Sequence, residues 1–306
     1  MLTKFWESTG DGLSGKWLDQ LFSAAFIFWG GGLVIIASHY GFDNVWNWIA
    51  SLDITKQMAL IIVGFLVLSL STALIEQLRF AALRLLEGYW PWPFYFVGKP
   101  IISFHKWNFK RIQNRWNTLK SQGDDGMLTS EKRREMSELE KRLHYYPTNL
   151  VEFLPTSLGN AIKAGEDAPY YKYGLDALTC WTRLWLLLPV ETQEDLSQAR
   201  QQLDKLIMLF IWGLLFLVWV TWWQGAILIS VIWIVFAYTL AVQCAMTFTD
   251  LIESAFDLHR FELYKAVHWS LPKKSGENEV TLGKQLTEFL WRGTSKKPIK
   301  FTHPEV

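Results

Sequence analysis

The longest apolar region of the chain, Leu206 to Met246, constrains the fold more than any other feature. A single helix covering this region would be roughly 60 Å long, about twice the thickness of the hydrocarbon core of a bilayer. The region must therefore fold back on itself. Its polar, turn-prone break is Trp222-Trp223-Gln224-Gly225, so we expect a tight hairpin there, with spans near 205–222 and 226–246.

Two further apolar runs lie near the N-terminus, at 17–37 and 58–75. The first is too long for the core of a signal peptide and lacks a small-x-small cleavage site, so we interpret it as a retained span. Its Gly30-Gly31-Gly32 stretch is typical of close helix packing in membranes. Together the runs predict an all-α membrane protein with about four transmembrane helices.

The composition agrees with a mixture of very apolar and very polar segments. The chain is 50% hydrophobic and 19% charged, below the roughly 25% charged residues of soluble domains, yet its mean hydropathy is only +0.10. The 18 Trp are typical of a protein with membrane interfaces. The 2 Cys form neither a disulfide framework nor a zinc pattern, and a net charge of +1 argues against a nucleic-acid partner.

The distribution of Lys and Arg predicts the orientation, because cytoplasmic loops carry the excess of positive charge. The loop between the first two spans contains one lysine, Lys56, and two acidic residues, Asp43 and Asp53. In contrast, seven Lys and Arg residues follow the second span within 79–115. The C-terminal tail is also basic. We therefore expect a membrane protein with both termini in the cytoplasm.

This orientation divides the chain into four segments. Residues 1–76 form an N-terminal transmembrane pair, and 77–203 form a helical cytosolic domain inserted between the second and third spans. Residues 204–249 form a C-terminal transmembrane hairpin, and 250–306 form a cytosolic helix and tail.

Within the cytosolic domain, 101–119 and 131–143 predict a charged αα-hairpin. A further helix begins near Thr156 or Ser157, whose hydroxyls can cap free N–H groups, and we expect Pro169 to break it. Basic and aromatic residues that follow the second span are candidates for lipid headgroups, although simple anchoring explains them equally well. These candidates are Arg79, Arg84, Trp90, Trp92 and Lys99.

Three carboxylates follow the fourth span at positions i, i+3 and i+7, so Asp250, Glu253 and Asp257 share one helix face. We call this set the acidic stripe. Because like charges repel, the acidic stripe requires compensation. One hypothesis is structural and pairs it with arginines of the middle domain, namely Arg79, Arg84 or Arg183.

A functional hypothesis places the acidic stripe at the mouth of a pore. In a symmetric oligomer the stripe would form stacked acidic rings that attract cations. A metal site using Asp257 and His259 is a third option, but residues at i and i+2 of a helix do not face one ion. We therefore predict no metal site.

Polar residues inside the fourth span are candidates for the lining of such a pore. Thr239, Gln243 and Thr247, which we call the polar stripe, fall on one face of that span. Ordinary interhelical hydrogen bonding is the alternative explanation. The apolar runs contain no Lys, no Arg and no central carboxylate, which disfavours a proton-coupled transporter.

The sequence carries no recognisable catalytic template. It has no phosphate-binding loop, no G-x-G-x-x-G, no H-E-x-x-H and no G-x-S-x-G. We predict no cofactor and no catalytic residue, and an enzyme is the least favoured class.

Three segments resemble a group of uncharacterised bacterial multi-pass integral membrane proteins. They are Leu154-Pro155-Thr156-Ser157-Leu158-Gly159-Asn160, Tyr173-Gly174-Leu175-Asp176-Ala177 and Ala255-Phe256-Asp257-Leu258-His259-Arg260-Phe261. The resemblance implies a bacterial source, hence a bacterial plasma (inner) membrane, and a shared fold for roughly 85–291. It implies no activity and no catalytic residue.

Two functions remain in competition. The first is an oligomeric, channel-like or pore-forming protein gated through its cytosolic domain by a cytosolic protein or a small-molecule trigger. The second is a membrane scaffold or signalling adaptor whose charged hairpin recruits a cytosolic partner. A membrane-bound enzyme acting on lipid ranks third. In each case the bilayer is a partner, and we expect a homo-oligomer.

Overall fold

A computed structural model describes residues 24–124, 129–272 and 276–293. Within these ranges the chain is helical and contains no strand, which confirms the predicted all-α class. The α-helices are α1 Ala24–Tyr40, α2 Phe42–Ser51, α3 Ile54–Glu87, α4 Tyr95–Asp124, α5 Ser130–His144, α6 Ser157–Tyr173, α7 Ala177–Trp185, α8 Val190–Leu215, α9 Ala226–Ala266 and α10 Glu277–Arg292. Short 3₁₀ helices cover Leu150–Glu152 and Phe216–Thr221.

Three of these helices are long and apolar enough to cross a membrane. They are α3, α8 with its 3₁₀ continuation to Thr221, and α9. Residues 222–225, where a hairpin turn is predicted, separate the second of these from the third. The protein is therefore a membrane protein with three such helices among the described residues, or four if a bent pair near the N-terminus counts as one span.

That bent pair consists of α1 and α2, whose axes differ by 104°. The bend lies at Gly41, whose φ of 90° is a conformation that favours glycine. The predicted first span at 17–37 coincides with α1 from residue 24 onward, and its earlier residues lie outside the described ranges.

The chain forms two compact units. The described residues of the first are 24–82 and 204–240. Its core is aromatic and joins Phe28 of α1 to Trp212, Phe216 and Trp219. Gly32 allows the close approach, because a Cβ atom there would lie 2.0 Å from the ring of Trp219. The glycine stretch therefore serves helix packing, as predicted.

The described residues of the second unit are 83–124, 129–203, 241–272 and 276–293. Its core joins α7 and the segment between α6 and α7 to α9 and α10, with Leu175, Leu184, Phe256, Leu263 and Leu286 fully buried. Helices α4 and α5 pack against each other, as the charged αα-hairpin predicts.

Helix α6 begins where its sequence predicts and ends later than expected. Thr156 is its N-cap and accepts a hydrogen bond from the N–H of Gly159 at 2.9 Å. The prediction that Pro169 breaks this helix is wrong, because the helix continues to Tyr173. The physical stop is Gly174, whose φ of 75° and N–H bonds to the last carbonyls form a left-handed cap.

Candidate functional site

The extra turn of α6 places two side chains against the acidic stripe of α9. The ammonium of Lys172 bonds to Glu253 and lies 3.3 Å from Oδ2 of Asp257. The hydroxyl of Tyr173 donates to Oδ1 of Asp257 at 2.7 Å. A prediction that ends α6 at a proline cannot place these residues beside the acidic stripe.

The end of α5 covers the remaining carboxylate. The hydroxyl of Tyr145 donates to Oδ2 of Asp250 at 2.9 Å. Nε2 of His144 lies 3.5 Å from Oδ1 of Asp250 and 3.3 Å from Oε2 of Glu253. The structure thus brings the acidic stripe together with one lysine, one histidine and two tyrosines, all within the second unit.

The predicted arginine partners lie elsewhere. Arg79 is 3.5 Å from Asp204, and Arg84 is 3.4 Å from Glu87. Arg183 donates to the carbonyls of α7 and α10 at Thr179 and Leu290. The expectation that arginines compensate the acidic stripe is therefore wrong in its partners, although the stripe does have hydrogen-bonding partners.

These contacts alter the proton affinities of the groups around the acidic stripe. Burial, together with the hydrogen bond to Asp250, raises the pKa of Tyr145 to about 12. Burial and the bond to Asp257 likewise raise the pKa of Tyr173. Burial alone would lower the pKa of Lys172, but the carboxylates of Glu253 and Asp257 raise it overall. Lys172 therefore stays an ammonium and the tyrosines stay neutral donors at neutral pH.

Compensation of the acidic stripe is incomplete. Lysine supplies one positive charge for three carboxylates, and the side chains of Asp250 and Asp257 are 48% and 38% exposed. Only Glu253, 12% exposed, is largely enclosed. Two carboxylates of the stripe therefore remain open to solvent and to mobile cations.

A cavity of about 380 Å³ opens beside this network within the second unit. Residues from α4, α5, α6 and α9 line it, among them Gln113, His144, Lys172 and Glu253. A molecule in the cavity would meet the same lysine and glutamate that hold the acidic stripe to α6.

The polar stripe is exposed along α9. Thr239, Gln243 and Thr247 follow each other at intervals of four residues, and all three are exposed. The hydroxyls of Thr239 and Thr247 donate to the carbonyls of Phe236 and Gln243, at 2.9 and 3.3 Å. The amide of Gln243 has no hydrogen bond within the described residues.

The headgroup candidates at the end of α3 and beyond it form local contacts. The guanidinium of Arg84 lies 4.2 Å from the centre of the Tyr89 ring. The indole of Trp90 donates to the carbonyl of Leu85 at 2.8 Å, whereas Trp92 is 79% exposed. Lys99 lies over the ring of Phe96 at 5.5 Å.

Sequence reasoning missed a pair of carboxyl groups on neighbouring elements. Glu152 closes a 3₁₀ helix and Asp167 lies on α6, and the interaction between the two carboxyl groups helps to raise the pKa of Asp167. Oε2 of Glu152 and Oδ2 of Asp167 are buried without a donor, while Lys163 donates to the other oxygen of Asp167 at 2.7 Å. Two carboxyl groups can share such a contact only with a proton between them.

The segments that carry the family resemblance have structural roles. The buried amide of Asn160 exchanges two hydrogen bonds with the backbone of Leu154, at 2.8 and 2.9 Å. Asp176 caps α7 by accepting from the N–H of Thr179 at 2.7 Å. Arg260 pairs with Glu279 of α10 at 2.7 Å.

In the part of the chain that the structure describes, no group of three His, Cys, Asp or Glu is arranged to hold a metal ion. The absence of a cofactor stays a prediction. Comparison of the chain with protein-family models, with curated proteins and with solved structures found no match.

Proposed function

We propose that this chain is the subunit of a homo-oligomeric, channel-like assembly in a bacterial plasma membrane, with both termini in the cytoplasm. The observation that carries the proposal is the exposed amide of Gln243 on an apolar helix. An unpartnered amide facing hydrocarbon is costly, so such groups face other helices or water-filled space. An amide both donates and accepts, so a second copy of the same residue is a complementary partner.

The rest of the same helix face fits the lining of a gated pathway. In the two turns before Thr239 the exposed side chains on this face are apolar, with Ile232 at 60% and Phe236 at 57% exposure. A ring of such residues resembles the hydrophobic constrictions that close channels by dewetting. The polar stripe would then line the wetted part of the pathway.

The acidic stripe supplies the electrostatics of the proposed assembly. Asp250 follows Thr247 by three residues on the same continuous helix, and its carboxylate is half exposed. Repeated around a symmetry axis, these carboxylates would raise the local concentration of cations. We therefore propose cations as the permeant class.

The second unit provides the means of gating. The acidic stripe is contacted by four side chains from outside α9, namely Lys172, Tyr173, His144 and Tyr145. A ligand in the adjacent cavity of about 380 Å³ that binds one arrangement of these contacts better than another would shift their equilibrium.

The test is reconstitution of the full chain in planar bilayers and in nanodiscs. We expect an oligomer with cation-selective current. Gln243→Leu should weaken assembly about three- to thirtyfold, the range expected from interhelical hydrogen bonds of roughly 0.6–2 kcal/mol. Gln224→Leu is the matched control, because Gln224 is also exposed but lies in the turn before α9. A monodisperse monomer without current would refute the proposal.

The alternative function, a scaffold or adaptor, is favoured by one observation. Helix α5 has no buried residue, so charged side chains along it remain accessible to a partner. Replacing the hairpin 101–143 by a short linker separates the two functions. If the protein is an adaptor, this variant loses its bound partner, and neither the variant nor the unaltered chain carries current. If the protein is a channel, the variant retains its oligomeric state.

A further inference from the structure

An apolar groove of about 470 Å³ opens on the second unit between α7, α8 and α9. Trp181 and Trp185 form one wall, with ring centres 5.9 Å apart. Buried Leu196 and Phe248 complete the apolar surface, and the guanidinium of Arg200 lies over the Phe248 ring at 5.9 Å. The groove thus combines an aromatic wall with a single cation.

The groove also presents hydrogen-bond donors. The indole N–H groups of Trp181 and Trp185 have no acceptor within the described residues, and both side chains are half-buried. Indole rings with an apolar body and an unsatisfied donor are typical of the interface between hydrocarbon and headgroups.

The position of the groove along two spanning helices indicates what meets it. On α8, Arg200 lies six residues before the apolar run that begins at Leu206. On α9, Phe248 lies two residues after the run that ends at Met246. At 1.5 Å per residue both are within about 10 Å of the apolar boundary, which is the depth of lipid phosphates and glycerol esters.

We propose that this groove binds one anionic phospholipid of the surrounding bilayer. The acyl chain would pack on Trp181, Trp185 and Phe248, and the phosphate would accept hydrogen bonds from Arg200 and the indoles. A zwitterionic headgroup also carries phosphate, but its own cation competes with Arg200 for it, so the net-negative lipid is preferred. The groove shares no residue with the headgroup candidates Arg79, Arg84, Trp90, Trp92 and Lys99.

The test uses the full chain in nanodiscs that contain phosphatidylcholine with a minority of phosphatidylglycerol. The photoreactive residue p-benzoylphenylalanine replaces Gln201, an exposed residue of the groove, or its exposed neighbour Gln202, which does not line it. Illumination followed by mass spectrometry identifies the crosslinked lipid. At Gln201 we expect phosphatidylglycerol to exceed its mole fraction about fivefold, the effect of one arginine near an anionic headgroup.

Two variants define what the result depends on. With Arg200→Gln, the share of each lipid among the crosslinks at Gln201 should return to its mole fraction in the nanodisc. Ser197→Trp fills the groove and should abolish lipid crosslinks at Gln201. Arg142→Gln, on exposed α5, should change neither. A thermal melt of each variant shows that it is folded. Crosslinks at Gln201 that follow the mole fraction in the unaltered chain, or that join two protein copies instead of lipid, would overturn the proposal.

Discussion

Replacement of Asp167 by asparagine should stabilise the protein, and more so as the pH rises. Burial of Asp167, followed by its hydrogen bond to Glu152, raises the pKa of this carboxyl from 3.8 to about 7, and Lys163 lowers it only in part. Asparagine is neutral at every pH, can accept from Lys163 and can donate to Glu152. It therefore keeps the geometry and removes the cost of a second buried negative charge.

The sign and the size follow from the difference between folded and unfolded proton affinity. A carboxyl whose pKa is higher in the folded chain stabilises it fully below the unfolded pKa of 3.8 and loses that stabilisation as the pH rises through about 7. At 1.36 kcal/mol per pKa unit the loss reaches roughly 4 kcal/mol, because Asp167 is only 13% exposed and little screened. The loss corresponds to a shift of the melting temperature on the order of 10 °C.

The measurement is a series of thermal melts in detergent from about pH 4 to about pH 9. Asp167→Asn should match the unaltered protein at the acidic end and exceed it above neutrality, with about 2 kcal/mol of the difference arising between roughly pH 5.5 and 8.5. Glu152→Gln should act in the same direction, and the double variant should add little, because either change removes the pair.

Asp195→Asn serves as the control, since Asp195 is an exposed aspartate of α8 and its replacement should leave the melts unchanged at every pH. A melting difference for Asp167→Asn that is constant across the pH range, or that favours the unaltered protein at alkaline pH, would refute the shared-proton reasoning.

Three further substitutions test packing and pairing. Gly32→Ala should destabilise the protein by about 1–3 kcal/mol through overpacking, whereas Gly30→Ala, which meets nothing within 4 Å, should be neutral in the same thermal melts. Lys172→Met should cost about 1–3 kcal/mol in thermal melts at neutral pH, because an enclosed carboxylate of the acidic stripe loses its cation. Asn160→Ala should cost about 2–3 kcal/mol through two lost backbone hydrogen bonds, with exposed Asn114→Ala unchanged.

The fold class could be predicted from the sequence because it depends on local composition. Apolar runs determine which helices can enter a bilayer, and the break before Ala226 follows from turn-prone residues in 222–225. The N-cap Thr156 is equally local, since a hydroxyl before a helix satisfies free N–H groups wherever the helix packs.

The sequence predicts the end of α6 incorrectly. A proline in a helix cannot donate a hydrogen bond to the carbonyl four residues before it, and its ring clashes with that carbonyl. Whether this cost ends the helix depends on the surroundings of the proline. Pro169 is buried and lies only four residues before the last residue of α6. The helix ends instead at Gly174, which has a left-handed backbone conformation. The difference of one turn determines whether Lys172 and Tyr173 can reach α9.

The carboxyl pair was invisible for a different reason. Glu152 and Asp167 lie on separate elements with the α6 N-cap between them, and neither residue has a spacing that suggests a pair. Only the packing of the 3₁₀ helix against α6 brings them together and buries them. Periodicity detects neighbours on one helix and gives no information about neighbours across two.

The two stripes of α9 show what helical periodicity can predict and what it cannot. Spacing alone placed the acidic stripe on one face and the polar stripe on one face, and on a continuous helix both statements depend only on 3.6 residues per turn. What covers each face depends on the rest of the chain. In the second unit α5 and α6 supply partners for the acidic stripe, whereas no hydrogen bond within the described residues reaches the amide of Gln243. The uncovered amide, rather than the carboxylates, is therefore the stronger reason to expect a second copy of this chain beside α9.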